Sequence, residues 1–404
     1  MGAERIRIGR LLPGVALAVL LFFVTLPVRA QMPDSLSSRA QVSVLTVGPG
    51  NAVYSLWGHS ALRVQDPVGG FDAVFNWGTF DPERPWFIPR FAYGDMQYEL
   101  SVEPMTRFLR GAMLQERGVR EQVLSMDPVA AQALWDLLRT NMEPANRAYA
   151  YDFVRDNCST RILTLLAKAG AVVLPSERAD VSYRQQVDRF VHQEAWLDLG
   201  IDLVFGARMD HRVEASDRAF LPLELEQILD GAASPAGTAL VVNTRELLED
   251  NWTPTDPAGD RVDLLLGAVA LLILVFTLRT WREGTPEGHG PGPLDRTLLF
   301  FFGFLGVFML FMWLATLHWV TAWNLNLLWA LPTHFVAAIV WKRWKGLNRY
   351  LRVSAWIMLC SLVMHFLHFQ SIPMPVLFLT TATAVRFLLV SRAAPSPSVP
   401  SSNA

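Results

Sequence analysis

Charge is scarce in this chain of 404 residues: Asp, Glu, Lys and Arg make up 18% of it, below the roughly 25% of ordinary soluble proteins. Hydrophobic residues make up 51% and the mean hydropathy is +0.25. A chain this apolar is not disordered, and its composition points to a membrane. Charge of one sign is also lacking, since 35 basic against 37 acidic residues leave a net charge of -2. With no global basic field to hold a polyanion, nucleic acid is excluded as a partner. Cysteine is nearly absent. Cys158 and Cys360 are too few for a disulfide framework or a zinc ribbon, so each reads as a lone thiol. Nothing in the sequence implies a metal or a cofactor.

The two ends of the chain carry the export signals. Arg5, Arg7 and Arg10 precede an apolar run from Leu11 to Leu26, and Val28-Arg29-Ala30 supplies small residues where a signal peptidase reads. Residues 1–30 therefore read as a cleavable signal peptide; Pro13 and Pro27 interrupt the run and count against an uncleaved anchor. From Val262 onward, long apolar stretches repeat: Val262–Leu278, Leu298–Leu317, Leu325–Trp341, Val353–Phe369 and Val376–Val390. They predict an all-α bundle of five transmembrane helices over 261–392. The loop between the third and fourth holds Lys342, Arg343, Lys345, Arg349 and Arg352, whereas 318–326 and 370–375 carry no charge. The positive-inside rule makes the basic loop cytoplasmic, which puts Val262 at the outer face and exports everything from Gln31 to Arg261. Export signal and loop charge agree on one topology, a multi-pass membrane protein with its N-terminal domain exported.

Within the exported part, Gln41–Val47, His59–Val64 and Phe71–Trp77 read as strands, the first two separated by the turn cluster Gly48-Pro49-Gly50-Asn51. Asp127-Pro128 opens a helix to about Asn141, and a second helix runs from Cys158 to Lys168 after Asp156-Asn157. Residues 181–230 predict a helical extension, 231–260 a connector and 393–404 a disordered Pro/Ser-rich tail.

That second helix gives Cys158 a chemical reason for its place. At the first turn of a helix, unpaired N–H groups and the macrodipole favour a thiolate, which makes the thiol a nucleophile. A buried, inert cysteine is the bland alternative, yet an unpaired thiol in a disulfide-permissive compartment is unusual unless used. His59 follows Gly58, a residue that lets backbone or ligand approach closely, and is the natural base. A Cys–His pair needs a third polar group to hold the imidazole. Asn76 is the best placed, with Asp72 and Asp81 as rivals.

These residues fall in a familiar order. Trp57-Gly58-His59-Ser60-Ala61-Leu62-Arg63, Phe75-Asn76-Trp77-Gly78-Thr79-Phe80-Asp81, Gly94-Asp95-Met96-Gln97-Tyr98, Asn157-Cys158-Ser159-Thr160, Phe220-Leu221-Pro222 and the membrane segment Trp323-Asn324-Leu325-Asn326-Leu327-Leu328-Trp329 resemble the Lnb-type bacterial lipoprotein N-acyltransferases. The resemblance covers nearly the whole mature chain. It implies an α+β fold, a circularly permuted papain-like (NlpC-type) periplasmic domain over 31–180, in which histidine precedes cysteine, with His59 and Cys158 as the catalytic pair, and a multi-pass place in the bacterial inner membrane. The same order resembles the lecithin:retinol acyltransferase group, which also draws acyl chains from phospholipids.

The implied chemistry moves an acyl chain from a membrane phospholipid through a Cys158 thioester to the N-terminal amine of a diacylated lipoprotein, with the Cys158 N–H as one oxyanion donor. Ser60, Asn157, Asn324, Asn326 and His334 are candidate substrate-binding residues, with Asn324 and Asn326 at periplasmic ends of membrane helices, where asparagines more often serve as interhelical glue, and His334 beside the kink at Pro332. Cys360 reads as packing. A membrane-tethered peptidoglycan amidase or endopeptidase, a phospholipid thiol hydrolase and a non-catalytic envelope binding protein are the competing readings.

Overall fold

The computed structural model describes residues 32–81, 83–174, 178–191, 194–214, 216–250, 259–283 and 290–392. The signal-peptide segment, residues 251–258 of the connector and the C-terminal tail lie outside the described residues.

The exported part is an α+β unit built on a seven-stranded sheet. The strands are β1 (Gln41–Val47), β2 (His59–Asp66), β3 (Phe71–Thr79), β4 (Gln97–Pro104), β5 (Val119–Leu124), β6 (Ala148–Ala150) and β9 (Val241–Leu248), in the order β6-β4-β3-β2-β1-β5-β9. Every neighbouring pair is antiparallel. A separate two-stranded ribbon pairs β7 (Arg178–Ser182) with β8 (Arg212–Glu214). The central strands β1 and β3 are buried along nearly their whole length, on both faces of the sheet. One face packs on α3 (Pro128–Met142) and α4 (Cys158–Lys168), through Leu134, Trp135, Leu138, Ile162 and Leu166. The other face is closed by α2 (Met105–Leu114), which follows the short α1 (Phe87–Tyr93). Asp127 caps α3 as expected, accepting the Ala130 N–H at 2.8 Å with Pro128 in the first turn.

Two expectations are corrected here. The stretch 231–260 is not simply a connector, because Val241–Leu248 joins the sheet as the edge strand beside β5. Its β-branched start is flanked by Gly and Pro runs that mask the strand signal. The helical stretch after 181 is likewise split: α5 (Tyr183–Val191) and α6 (Ala195–Val204) form their own cluster, but Leu225, Ile228 and Leu229 of α7 (Pro222–Asp230) belong to the main core.

The C-terminal part is helical: α8 (Gly259–Arg282), α9 (Pro293–Ala315), α10 (Thr333–Val340), α11 (Leu347–Phe366) and α12 (Met374–Val390). Arg261–Arg282 and Pro293–Ala315 are each long and apolar enough to cross a bilayer. The third expected segment is not one helix. The stretch Trp319–Leu328 meets α10 at a bend of 47°, because Asn324 and Asn326 spend their side chains outside the segment and Pro332 cannot continue a helix. Glycines let this broken segment lie directly on α9: a Cβ at Gly306 would fall 1.9 Å from the Ala330 carbonyl oxygen, and one at Gly303 2.0 Å from the Phe335 nitrogen. Cys360 lies on the outer surface of α11 rather than packed within the bundle.

Polar contacts sort the helix ends into two levels. Leu317, Asn324 and Gln370 all bond to the exported part, whereas Arg386 pairs with Asp295, and Arg352 reaches Ser391 O, at the opposite level. Arg184 welds the two parts together. Fully buried, it bonds Asp202 and Asp210, and Asp210 in turn accepts the Ser371 N–H.

Candidate functional site

His59 reaches its position through a glycine turn. Gly58 has φ +84°, a left-handed conformation that side chains avoid, and a Cβ there would lie 2.7 Å from the Val47 carbonyl oxygen. The turn swings the chain into β2, whose first residue is His59. Cys158 opens α4, which packs against β2. Asn157 is the N-cap: its Oδ1 accepts the N–H groups of Ser159 and Thr160 at 2.9 and 3.0 Å, while Thr160 Oγ1 accepts the Asn157 N–H at 2.8 Å. The Asn157 amide also donates to Phe153 O and Phe220 O, at 2.7 and 2.8 Å. Oxygen and both amide protons are committed, so Asn157 fixes the helix start and has no donor left for a substrate. Ser60 is also committed, its buried Oγ lying 3.0 Å from Ser159 Oγ, a tie between strand and helix one residue from the nucleophile.

His59 Nε2 lies 3.2 Å from Asn76 Oδ1, and Asn76 Nδ2 donates to Glu103 Oε1 at 2.9 Å. Because the amide donates to a carboxylate, its oxygen is the atom facing the ring, so the imidazole donates to it from Nε2. The rivals of Asn76 are engaged elsewhere: Asp72 pairs with Arg63 at 2.7 Å, and Asp81 accepts the Glu83 N–H. Burial opposes the Cys158 thiolate, but the charge and hydrogen bond of His59, the Ser60 N–H and the Ser159 hydroxyl outweigh it and hold the thiol at about 7. His59 moves the other way. Burial works against its cation, yet the thiolate beside it and the bond to Asn76 raise its pKa. The two shifts run in opposite directions, and each is caused in part by the other group.

The pair opens into a cavity of about 340 Å³. One wall is aromatic, with Phe80, Tyr98, Tyr151, Phe153 and Phe220, Tyr98 and Tyr151 touching edge to face at 4.5 Å. Phe80 stacks on Phe87 of α1, a helix with no buried residue. Trp86 and Ile88 are 77% and 76% exposed, and the far end of α1 is bonded to the top of α9, where Leu317 N–H donates to Tyr93 O at 2.7 Å. The cavity thus lies beside an exposed apolar helix anchored at the level where a membrane helix emerges.

The membrane-side candidates are not brought to this cavity. Asn324 donates to Leu203 O and Val204 O, and Asn326 to Asp202 O and Leu203 O, at 2.8 to 3.2 Å. They satisfy the carbonyls left open at the end of α6, a docking role instead of a substrate contact. His334 is buried in the bundle with Nδ1 2.7 Å from the Tyr350 hydroxyl. Glu103 and Arg117, neither of which stands out in the sequence, both line the cavity.

Fold and site define a class: an integral-membrane protein whose exported α+β domain carries a cysteine–histidine–asparagine constellation. The chain matches the family models described as the Lnb N-terminal periplasmic domain, over residues 31–187, and the Lnb transmembrane domain, over residues 264–394. It belongs to the Lnb family, with a periplasmic N-terminal domain and a transmembrane C-terminal domain. No curated protein and no solved structure matches it.

Proposed function

We propose that this protein is a thiol-dependent lipoprotein N-acyltransferase of the bacterial inner membrane, with Cys158 as nucleophile, His59 as acid and base and Asn76 as the group that orients the ring. The observation that carries the reading is the Cys158–His59–Asn76 line, with the thiol held at about 7, in an aromatic-walled cavity beside an exposed apolar helix. In this reading the domain is the permuted papain-like fold, its histidine strand preceding its cysteine helix, the signal peptide is removed, and five segments cross the membrane.

The Cys158 thiolate attacks an ester carbonyl of a phospholipid, the S–C bond forms and the ester C–O bond breaks. The imidazolium of His59 gives its proton to the departing alcohol, which leaves as a lysophospholipid. The free α-amine of a diacylated lipoprotein then attacks the thioester. His59 takes the amine proton, the C–S bond breaks, the thiolate returns and the chain becomes amide-linked. Neither step needs a metal or a cofactor, and the Cys158 N–H at the helix start faces the developing oxyanion.

The test is intact-mass measurement of the full-length, detergent-solubilised protein after incubation with phospholipid. The wild type gains one acyl mass that hydroxylamine removes, and Cys158→Ala and His59→Ala gain none. Release of lysophospholipid with free fatty acid even when a lipopeptide amine is present would make it a thiol hydrolase. No adduct and no lysophospholipid would return the peptidoglycan and binding readings.

A further inference from the structure

One cation in the catalytic cavity has no part in the chemistry above. Arg117 lies in the turn between α2 and β5 and is only 7% exposed. Its Nε donates to Gly48 O at 2.7 Å and its Nη1 to Gln115 Oε1 at 3.1 Å, while Nη2 is buried without a hydrogen-bond partner. The seat is built for it. A Cβ at Gly50 would come within 3.0 Å of Arg117 Cδ and 3.2 Å of Nε, so the glycine turn after β1 leaves the space that the guanidinium stem fills. The Arg117 N–H is itself held by Ala112 O at 3.1 Å.

Burying a guanidinium with an open donor edge is costly unless an anion completes it. The cavity it shares with Cys158 and His59 is where such an anion must arrive. Two groups on this wall set the fit. The guanidinium fork matches the oxygens of a phosphate, with charge-assisted bonds roughly twice as strong as neutral ones. Glu103, the carboxylate on the same lining, accepts from Asn76, and the Asp250 carboxylate, which also accepts the Gly118 N–H, offsets part of the charge of Arg117, but neither bonds Nη2.

We propose that Arg117 binds the phosphodiester of the acyl donor, so that this cavity selects phospholipids over uncharged acyl esters. The inference rests on the acyltransferase reading and adds to it the residue that recognises the donor. In a glycerophospholipid the phosphate is only a few bonds from either ester carbonyl. One cavity therefore holds the phosphate on Arg117 and the carbonyl at the Cys158 sulfur, with the acyl chain along the aromatic wall. Arg117 positions substrate and takes no proton.

The experiment uses the full-length protein in detergent with two soluble donors, dihexanoyl phosphatidylglycerol and dihexanoylglycerol, and follows acyl-enzyme formation. Wild type is expected to favour the phosphorylated ester in kcat/KM by about 10- to 100-fold, the range a charge-assisted hydrogen bond supports. Arg117→Gln is expected to reduce that preference ratio by a similar factor, mainly through KM, with Arg117→Lys keeping part of it. A wild type that acylates equally well from both donors overturns the proposal without any variant. So does an Arg117→Gln ratio equal to that of wild type. If neither donor acylates wild type, the acyltransferase reading falls and takes the proposal with it.

Discussion

Removing His59 should change how Cys158 responds to pH, and the size of the change follows from the groups around the sulfur. In the wild type the thiol titrates at about 7. Two of the influences that lower it belong to His59, its charge and its hydrogen bond, while burial pushes the other way. In His59→Ala burial is opposed by the Ser60 N–H, the Ser159 hydroxyl, the helix start and the Arg117 charge, without the two contributions of His59. The thiol then rises to the ordinary value of about 8.5 or above. That rise corresponds to about 2 kcal/mol. Thiolate forms as pH rises through the folded-state pKa, so at pH 7 its share falls from about one half to about 3%. Iodoacetamide should therefore label Cys158 roughly 15-fold more slowly at pH 7 in the variant, with the two proteins converging by about pH 10. A Cys360→Ala background removes the other thiol, which is exposed. An alkylation midpoint still near 7 in His59→Ala would refute the pairing.

Other consequences can be checked on the same protein. Gly58→Ala places a Cβ 2.7 Å from the Val47 oxygen at φ +84°; it should cost about 1–3 kcal/mol in thermal unfolding and lower the rate of acyl-enzyme formation through displacement of His59. Asp295 and Arg386 form a buried pair at 2.7 Å, so Arg386→Met alone should destabilise the membrane domain by about 3–5 kcal/mol while Arg386→Met with Asp295→Leu recovers most of it, read from thermal melts in detergent. Trp86 should sit at the bilayer surface. Its fluorescence in proteoliposomes, measured in a protein with Trp86→Phe as the blank, should be quenched by brominated lipid, and an unquenched signal would remove α1 from the interface.

Much of this site is legible in the sequence because its signals are local. The Asn157 cap, the Cys158 start and the Gly58 turn each act within a few residues, and Asp127-Pro128 marks α3 in the same way. Glu103 and Arg117 are invisible there. Glu103 reaches Asn76 only through the pairing of β3 with β4, where Asn76 faces Ser101 and the register then slips before Thr79. Arg117 meets the cavity only because the glycine turn after β1 folds over it. The asparagines at 324 and 326 misled for a related reason. Polar residues at a membrane-helix end read as a headgroup site or, more often, as glue, and only the carbonyls at the end of α6 decide between them. The edge strand Val241–Leu248 was hidden by the Gly/Pro runs around it.

The most direct test of the central claim follows the acyl chain to its acceptor. Wild-type protein is first acylated from a phospholipid with an isotope-labelled acyl chain and freed of donor. It is then mixed with a diacylated lipopeptide whose N-terminal amine is either free or acetylated. The account predicts that the label leaves Cys158 and appears in amide linkage on the free-amine lipopeptide only, with Cys158→Ala giving none. Label released as free fatty acid at the same rate with both lipopeptides would contradict it.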